Sequence, residues 1–226
     1  MEFELSKTQK DIQKAVRDFT KGEFDKELAL ELDKKHEFPR KIWQKAGDIG
    51  LIGVHFPEDY SGQGMGSLED ILVIEELCRS DSTIGSAVAL SSFASELIMH
   101  NGSDEQKEKW LPQVAEAKTL SAGAFTEPDH GSDITFMNTT AVKEGDEWVI
   151  NGVKTFITNG GMAGFYSVMC QTDPDAKPSY RGISIILVEA EREGLSTVDV
   201  GDKMGINMMS TTEVILKDVR VPVSYT

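Results

Sequence analysis

The feature that most constrains this chain is a change of period near residue 119. Before it, apolar residues recur every three or four positions between helix start and stop signals. "SKTQ" at Ser6–Gln9 is a capping-box pattern that leads into Ile12, Val16 and Phe19. "FPRKIWQKAGDIG" puts Pro39 in a first helical turn and Gly50 near a C-cap, with Ile42, Trp43 and Ala46 as its apolar stripe. A third helix is expected to start from Ser67, and Ser103–Gln106 offers another capping box. Between these lies "STIGSAVALSSFASELIMHNG", small and apolar nearly all round. Such a helix is buried on most sides or lines a cavity.

After residue 119 the pattern is that of strands. "EWVINGVKTFIT" reads as two short β-runs around Asn151-Gly152, the strongest short hairpin signal. "GISIILVEA", "LSTVDV" and "TEVILKDVRVP" add β-branched segments punctuated by Gly, Asp and Pro. Helices followed by strands predict an α+β fold: an α-helical domain over residues 1–119, then a β-barrel or sandwich over 120–226.

Composition removes several functions. A formal net charge of −15 argues against nucleic acid, since no basic surface could cover many phosphates. Cys78 and Cys170 are too few and too far apart for a disulfide framework or a metal cage, and read as buried thiols. "MEFELSKTQK" lacks the apolar core of a signal peptide, and no apolar run approaches the ~20 residues of a bilayer span. The expectation is a cytoplasmic protein. His36, His55, His100 and His130 are scattered, which predicts no metal site, and no G-x-S-x-G elbow is present. "SGQGMG" at Ser61–Gly66 has neither the spacing nor the strand of a nucleotide loop, and reads as a flexible loop before a cap at Ser67.

Two segments remain. "GAFTEPDHGSD", Gly123–Asp133, is an apolar run breaking into a loop with three acids, Glu127, Asp129 and Asp133. "NGVKTFITNGG", Asn151–Gly161, is its counterpart. Each ends a strand with an aromatic residue and a threonine, Phe125-Thr126 and Phe156-Ile157-Thr158. Two such ends could sandwich a flat heteroaromatic ring and bond its polar edge through N–H groups and hydroxyls. Phenylalanines in strands are, equally, ordinary core.

These segments resemble the signatures of the acyl-CoA dehydrogenase family of flavoproteins: "AFTEPDHGSD" and "NGVKTFITN", with further matches in "FPEDYSGQGMG", "GSDEQKEKWLP" and "KMGINMMSTTEVILKDVRVP". The resemblance runs from residue 1 to 222. It implies FAD held by Phe125, Thr126, Ser132, Phe156, Ile157 and Thr158, with Ser132 also near substrate and the Thr158 hydroxyl near the hydride-accepting nitrogen. Glu127 and Asp133 are then caps for local N–H groups, and Pro128 and Gly131 fix the course of the loop. The implied reaction is α,β-dehydrogenation of an acyl-CoA to a trans-2-enoyl-CoA in fatty acid metabolism, by a homotetramer that passes electrons to an electron-transferring flavoprotein. Enoyl-CoA reduction, acyl-CoA oxidation, or a non-catalytic partner subunit are the alternatives on the same scaffold.

In that family the catalytic base lies in a third, C-terminal helical domain, whereas this sequence stops at "VRVPVSYT". No acid here matches the base, so the catalytic residue is unknown and expected beyond residue 226. Residues 1–226 by themselves are expected to be inactive. Relatives that take dicarboxylic acyl groups carry an arginine in the helix corresponding to Ser82–His100. Here no Lys or Arg occurs from Ser80 through Gln106, which implies an uncharged acyl group of short to medium length. Ser91, Ser92 and Ser95 either admit a polar or cyclic group or let helices pack closely.

Overall fold

Capping chemistry fixes the helix starts of the first half. The computed structural model describes residues 4–226; residues 1–3, the start of the stretch weighed as a leader, lie outside them. Ser6 opens α1 (Lys7–Glu23) with both halves of a capping box, Gln9 N–H to Ser6 Oγ at 3.2 Å and Ser6 N–H to Gln9 Oε1 at 2.8 Å. Asp25 caps α2 (Lys26–Lys35), and Pro39 precedes α3 (Arg40–Asp48), which buries Ile42, Trp43 and Ala46. Gly50, at φ +73°, follows α3 in the left-handed conformation that glycine tolerates best.

α4 spans Ser67–Ser80, with Gly66 rather than Ser67 as its cap. Glu69 Oε2 accepts from Gly66 N–H at 3.1 Å, so the acid three residues on does the capping and Ser67 is already helical. The preceding glycine-rich loop is tied down rather than loose. Gly64 N–H donates to Phe56 O at 2.8 Å, and a Cβ at Gly62 would strike the Phe56 backbone.

The expected all-round apolar helix is broken. α5 (Ser82–Ala89), a 3-10 turn at Leu90–Ser92 and α6 (Ser95–Asn101) follow one another, with Ala94 at φ +70°. Contrary to the expectation from its lack of an unbroken apolar run, Ser82–Asn101 has, by length and composition alone, what a bilayer span requires, 20 residues at a mean hydropathy of 1.2. However, 44% of its most apolar window is buried inside the chain, and it is not a single helix. Serines interrupt it, so a search for continuous apolar residues passes it over. α7 (Asp104–Ala115) starts at the expected Ser103–Gln106 box.

Two units emerge, neither continuous in sequence. The first holds residues up to Ser92, then Ile98–Thr119 and Asp202–Met209; the second holds Phe93–Leu97, Leu120–Gly201 and Ser210–Thr226. Asn207 is bound to α2 of the first unit, its N–H donating to Asp33 Oδ1 at 2.7 Å.

The second unit is a single seven-stranded sheet: β1 (Leu120–Ala124), β2 (Thr140–Glu144), β3 (Glu147–Thr158), β4 (Ala163–Gln171), β5 (Ile183–Glu189), β6 (Leu195–Asp199) and β7 (Thr211–Pro222). Its order is β1-β4-β2-β3-β7-β6, with β5 also on β4. Beyond the end of β1, Thr126 O accepts from Thr155 N–H in β3 at 2.8 Å, so the sheet curls back on itself. Ile150, Ile157, Tyr166, Val168, Ile186, Val214 and Val221 fill its core.

The Asn151-Gly152 hairpin does not exist. β3 runs straight through it, and the true β2–β3 turn is Gly145-Asp146, with Glu144 facing Glu147 and Gly145 at φ +63°. Gly152 serves close approach instead: a Cβ there would stand 2.6 Å from Thr139 Cβ and 2.7 Å from Thr139 Cα. Asn151 pairs with Asp218 on β7, donating from Nδ2 at 3.0 Å and accepting from its N–H at 2.9 Å.

Candidate functional site

β1 is buried along its whole length, and the chain leaves it at Phe125. The Phe125 ring folds back over Gly123, where a Cβ would come within 2.8 Å of it, and lies tilted against Phe93 with centroids 6.4 Å apart. Phe125 and Thr126 are half-buried. A tight turn follows, closed by Glu127 N–H to His130 O at 2.9 Å. Pro128, Gly131, Ser132 and Asp133 are exposed on this loop.

Opposite, β3 carries a bulge. Lys154 pairs with Val214 and Ile157 with Thr212, which leaves Thr155 and Phe156 without partners on β7. Phe156 sits at φ +55° with its side chain 68% exposed. A bulky residue in left-handed backbone costs about 1–2 kcal/mol, and here nothing in the apolar core repays it. Ile157 turns its side chain into the sheet core, and its main chain pairs with Thr212 and accepts from Gly160 N–H at 3.1 Å, while Thr158 is half-buried. Asn159, at φ +64° and buried, ends the segment, with Nδ2 donating to Ser121 O at 3.0 Å. Tyr166 donates its hydroxyl to Gly160 O, and burial pushes that phenol up to about 12.

The two strand ends are joined by a buried ion pair that sequence reading did not single out. Lys154 is fully buried and donates to Glu127 Oε1 at 2.9 Å and to Phe125 O at 3.1 Å. Glu127 also accepts from Asn138 N–H at 2.6 Å and Thr139 N–H at 2.9 Å. It therefore caps groups at the far end of its loop, not local ones as expected, whereas Asp133 is local, accepting from Thr135 N–H at 3.2 Å. Burial would raise the Glu127 carboxyl, but its donors from Thr139, Asn138 and Lys154 outweigh that and hold it below the usual carboxylate range. Burial draws the Lys154 ammonium down against the opposing pull of Glu127. Nothing in the local pattern of a sequence marks a lysine as buried; only its partner, 27 residues away, could have done so.

The structure thus brings five of the six candidate residues together at two facing strand ends. Ser132 is exposed and forms no hydrogen bond to the other five among the described residues. The juxtaposed groups are a half-exposed ring, a strained exposed ring, two hydroxyls and, at Phe156, main chain outside the β7 ladder. These suit a flat heteroaromatic ligand with a polar edge.

Two of the three serines, Ser91 and Ser95, are committed elsewhere. Ser91 Oγ donates to Val88 O at 2.7 Å, and Ser95 and Ser121 share a buried hydroxyl pair at 2.8 Å. These bonds favour the packing role for both. Among the described residues no three His, Cys, Asp or Glu side chains gather as a metal site requires. Cys170 is buried and burial pushes its thiol up to about 12; Cys78 is half-buried.

Residues 6–118 match the family model of the acyl-CoA dehydrogenase N-terminal domain, and residues 122–219 that of the middle domain. The chain is 38% identical over 99% of its length to a short-chain-specific acyl-CoA dehydrogenase of Clostridium acetobutylicum, covering 58% of that protein. It is 36% identical over 98% of its length to an acryloyl-CoA reductase (NADH) of Anaerotignum propionicum, covering 56%. Among solved structures, a chain in one describing an electron transferring flavoprotein of Acidaminococcus fermentans superposes with a TM-score of 0.91 at 35% identity. That match spans 100% of this chain and 59% of the other. A Mycobacterium smegmatis glutaryl-CoA dehydrogenase in complex with FADH2 gives 0.87 at 30% identity, over 98% and 55%. The chain therefore spans a little over half the length of the proteins it matches.

Proposed function

The chain belongs to the acyl-CoA dehydrogenase family, and we propose that it serves FAD-dependent α,β-dehydrogenation of an acyl-CoA thioester to the trans-2-enoyl-CoA. The observation that carries this reading is the exposed Phe156 on its strained bulge, facing the strand end that bears Phe125 and Thr126. Backbone strain of this kind persists where function requires it. When bound, the flavin supplies the hydride acceptor. Phe125, Thr126, Ser132, Phe156, Ile157 and Thr158 would hold it, through main chain, hydroxyls and ring faces.

The acidity of the loop is no obstacle. Glu127, the one buried acid of the loop, is neutralised by Lys154, while Asp129 and Asp133 are exposed, where water screens their charge. Likeness to a chain from a structure describing an electron transferring flavoprotein supports such a protein as electron acceptor. The uncharged, short-to-medium acyl group rests on the cation-free stretch Ser80–Gln106 and on the relative named as short-chain specific.

Purification from the complete reading frame should yield a yellow protein whose absorbance near the flavin maximum bleaches anaerobically with butyryl-CoA. Thr158→Val should weaken flavin retention about tenfold, one hydrogen bond's worth. A colourless protein that takes up no FAD would end this reading. Enoyl-CoA reduction is the second reading, favoured by the relative named acryloyl-CoA reductase. Faster turnover of an enoyl-CoA with a reduced donor than of the saturated thioester would select it.

A further inference from the structure

The stretch Thr155–Thr158 is suspended between two buried ties to the β1 side of the sheet. At one end Asn159 reaches Ser121 O; at the other Lys154 reaches Phe125 O and Glu127. Between them, Thr155 N–H to Thr126 O crosses directly at 2.8 Å. The Lys154 tie differs in kind from the other. Its ammonium bonds the carbonyl of a candidate ligand-binding residue and the carboxylate two residues further on. That carboxylate in turn fixes Asn138 and Thr139, where the acidic loop returns to the sheet. One side chain from β3 thereby orients both ends of the loop that carries Thr126 and Ser132.

We infer that Lys154 and Glu127 form a positioning pair, which sets the register of Phe125–Thr126 against the Phe156 bulge and so tunes flavin affinity and environment. The inference rests on the flavin reading above. A buried ion pair is poor evidence of stability, because desolvation offsets most of the attraction, and replacement by apolar groups is often neutral. Its position between two ligand-facing strand ends serves a geometric purpose instead: the Phe125 carbonyl and the loop are held in one arrangement before any ligand arrives. Neither residue touches the proposed ring in this role; both act through Phe125, Thr126 and the loop.

The test uses the complete protein in four forms: wild type, Glu127→Gln, Lys154→Met and the double variant E127Q/K154M. Lys154→Met leaves a buried unpaired carboxylate and should lower the melting temperature most. The double variant removes both charges and should recover much of that loss. Two readouts report on the cofactor: the FAD dissociation constant of apoprotein by fluorescence quenching, and the visible circular dichroism of bound flavin. Positioning predicts that the double variant, although recovered in melting temperature, still binds FAD about tenfold more weakly. That is about 1.4 kcal/mol, with an altered flavin dichroism band. Glu127→Gln, which retains shape and most hydrogen bonds, should show the same direction if neither lysine variant folds. Wild-type FAD affinity and dichroism in whichever variants fold would overturn the inference, leaving the pair a scaffold only. Failure of the wild type itself to take up FAD would overturn the flavin reading and this inference with it.

Discussion

Asn159 gives the sharpest quantitative test of how the strand end is held. It is buried at φ +64°, its N–H donates to Ser210 O at 2.8 Å and its Nδ2 to Ser121 O at 3.0 Å. Two separable costs follow on Asn159→Ala. The Ser121 carbonyl, in a fully buried strand, loses its side-chain donor, at about 1–3 kcal/mol. Alanine in left-handed backbone adds roughly 1–2 kcal/mol that asparagine largely avoids. The expected loss is therefore about 2–5 kcal/mol. Asn159→Gly loses the same hydrogen bond but adopts the backbone freely, at an entropic cost of about 0.5–1 kcal/mol. It should be more stable than the alanine variant by about 0.5–1 kcal/mol. Guanidinium unfolding followed by Trp148 fluorescence measures both. Equal losses for Gly and Ala would refute the left-handed strain, and a loss below about 1 kcal/mol for Ala would refute the bond to Ser121.

Gly152→Ala should destabilise by about 1–3 kcal/mol through collision with Thr139, and an unchanged melting temperature would restore Asn151-Gly152 as an open turn. The Tyr166 phenol, raised from 10.0 to about 12, and the Cys170 thiol, raised from 9.0 to about 12, titrate later in the folded chain than in the unfolded one. Their stabilisation is complete below pH 9 and is lost as pH rises towards 12. For Tyr166 alone the two-unit difference amounts to roughly 2–3 kcal/mol. Denaturant midpoints flat between pH 8.5 and 11 would contradict this, and Tyr166→Phe should remove its share of the slope. Among butyryl-, hexanoyl-, a cyclic acyl- and glutaryl-CoA, kcat/KM of the complete enzyme should be lowest for glutaryl-CoA; a preference for it would require a counter-charge outside the Ser80–Gln106 stretch.

What could be read from sequence was whatever depends on neighbours. The capping boxes at Ser6 and Ser103 are local chemistry, and both stand where the spacing puts them. Phe125, Thr126, Phe156 and Thr158 were legible as strand ends. The failures at the candidate site involve distant partners, whereas the cap at Gly66 and the break at Ala94 are local departures. Asn-Gly signals a hairpin when both residues take positive φ, but Gly152 was needed for Thr139, thirteen residues upstream, and the turn fell to Gly145. Lys154 appeared as one polar position in a strand until Glu127 was placed beside it. The left-handed backbone of Phe156 contradicts the preference of its own side chain, so no propensity could have revealed it.

β4 is a hub: β1, β2 and β5 all join it, and the β1 partnership is parallel. The β2–β3 hairpin closes a turn of two residues and β4–β5 a loop of eleven, whereas β1 pairs with a strand about forty residues downstream and β3 with one about sixty downstream, at a larger entropic toll. On loop closure alone, the pairing that delivers Phe125 and Thr126 is expected to protect its amides later than the β2–β3 and β4–β5 pairings in pulsed hydrogen exchange. Any ligand that spans both strand ends would stabilise only the chain in which that pairing is made, acting as a latch on the native state.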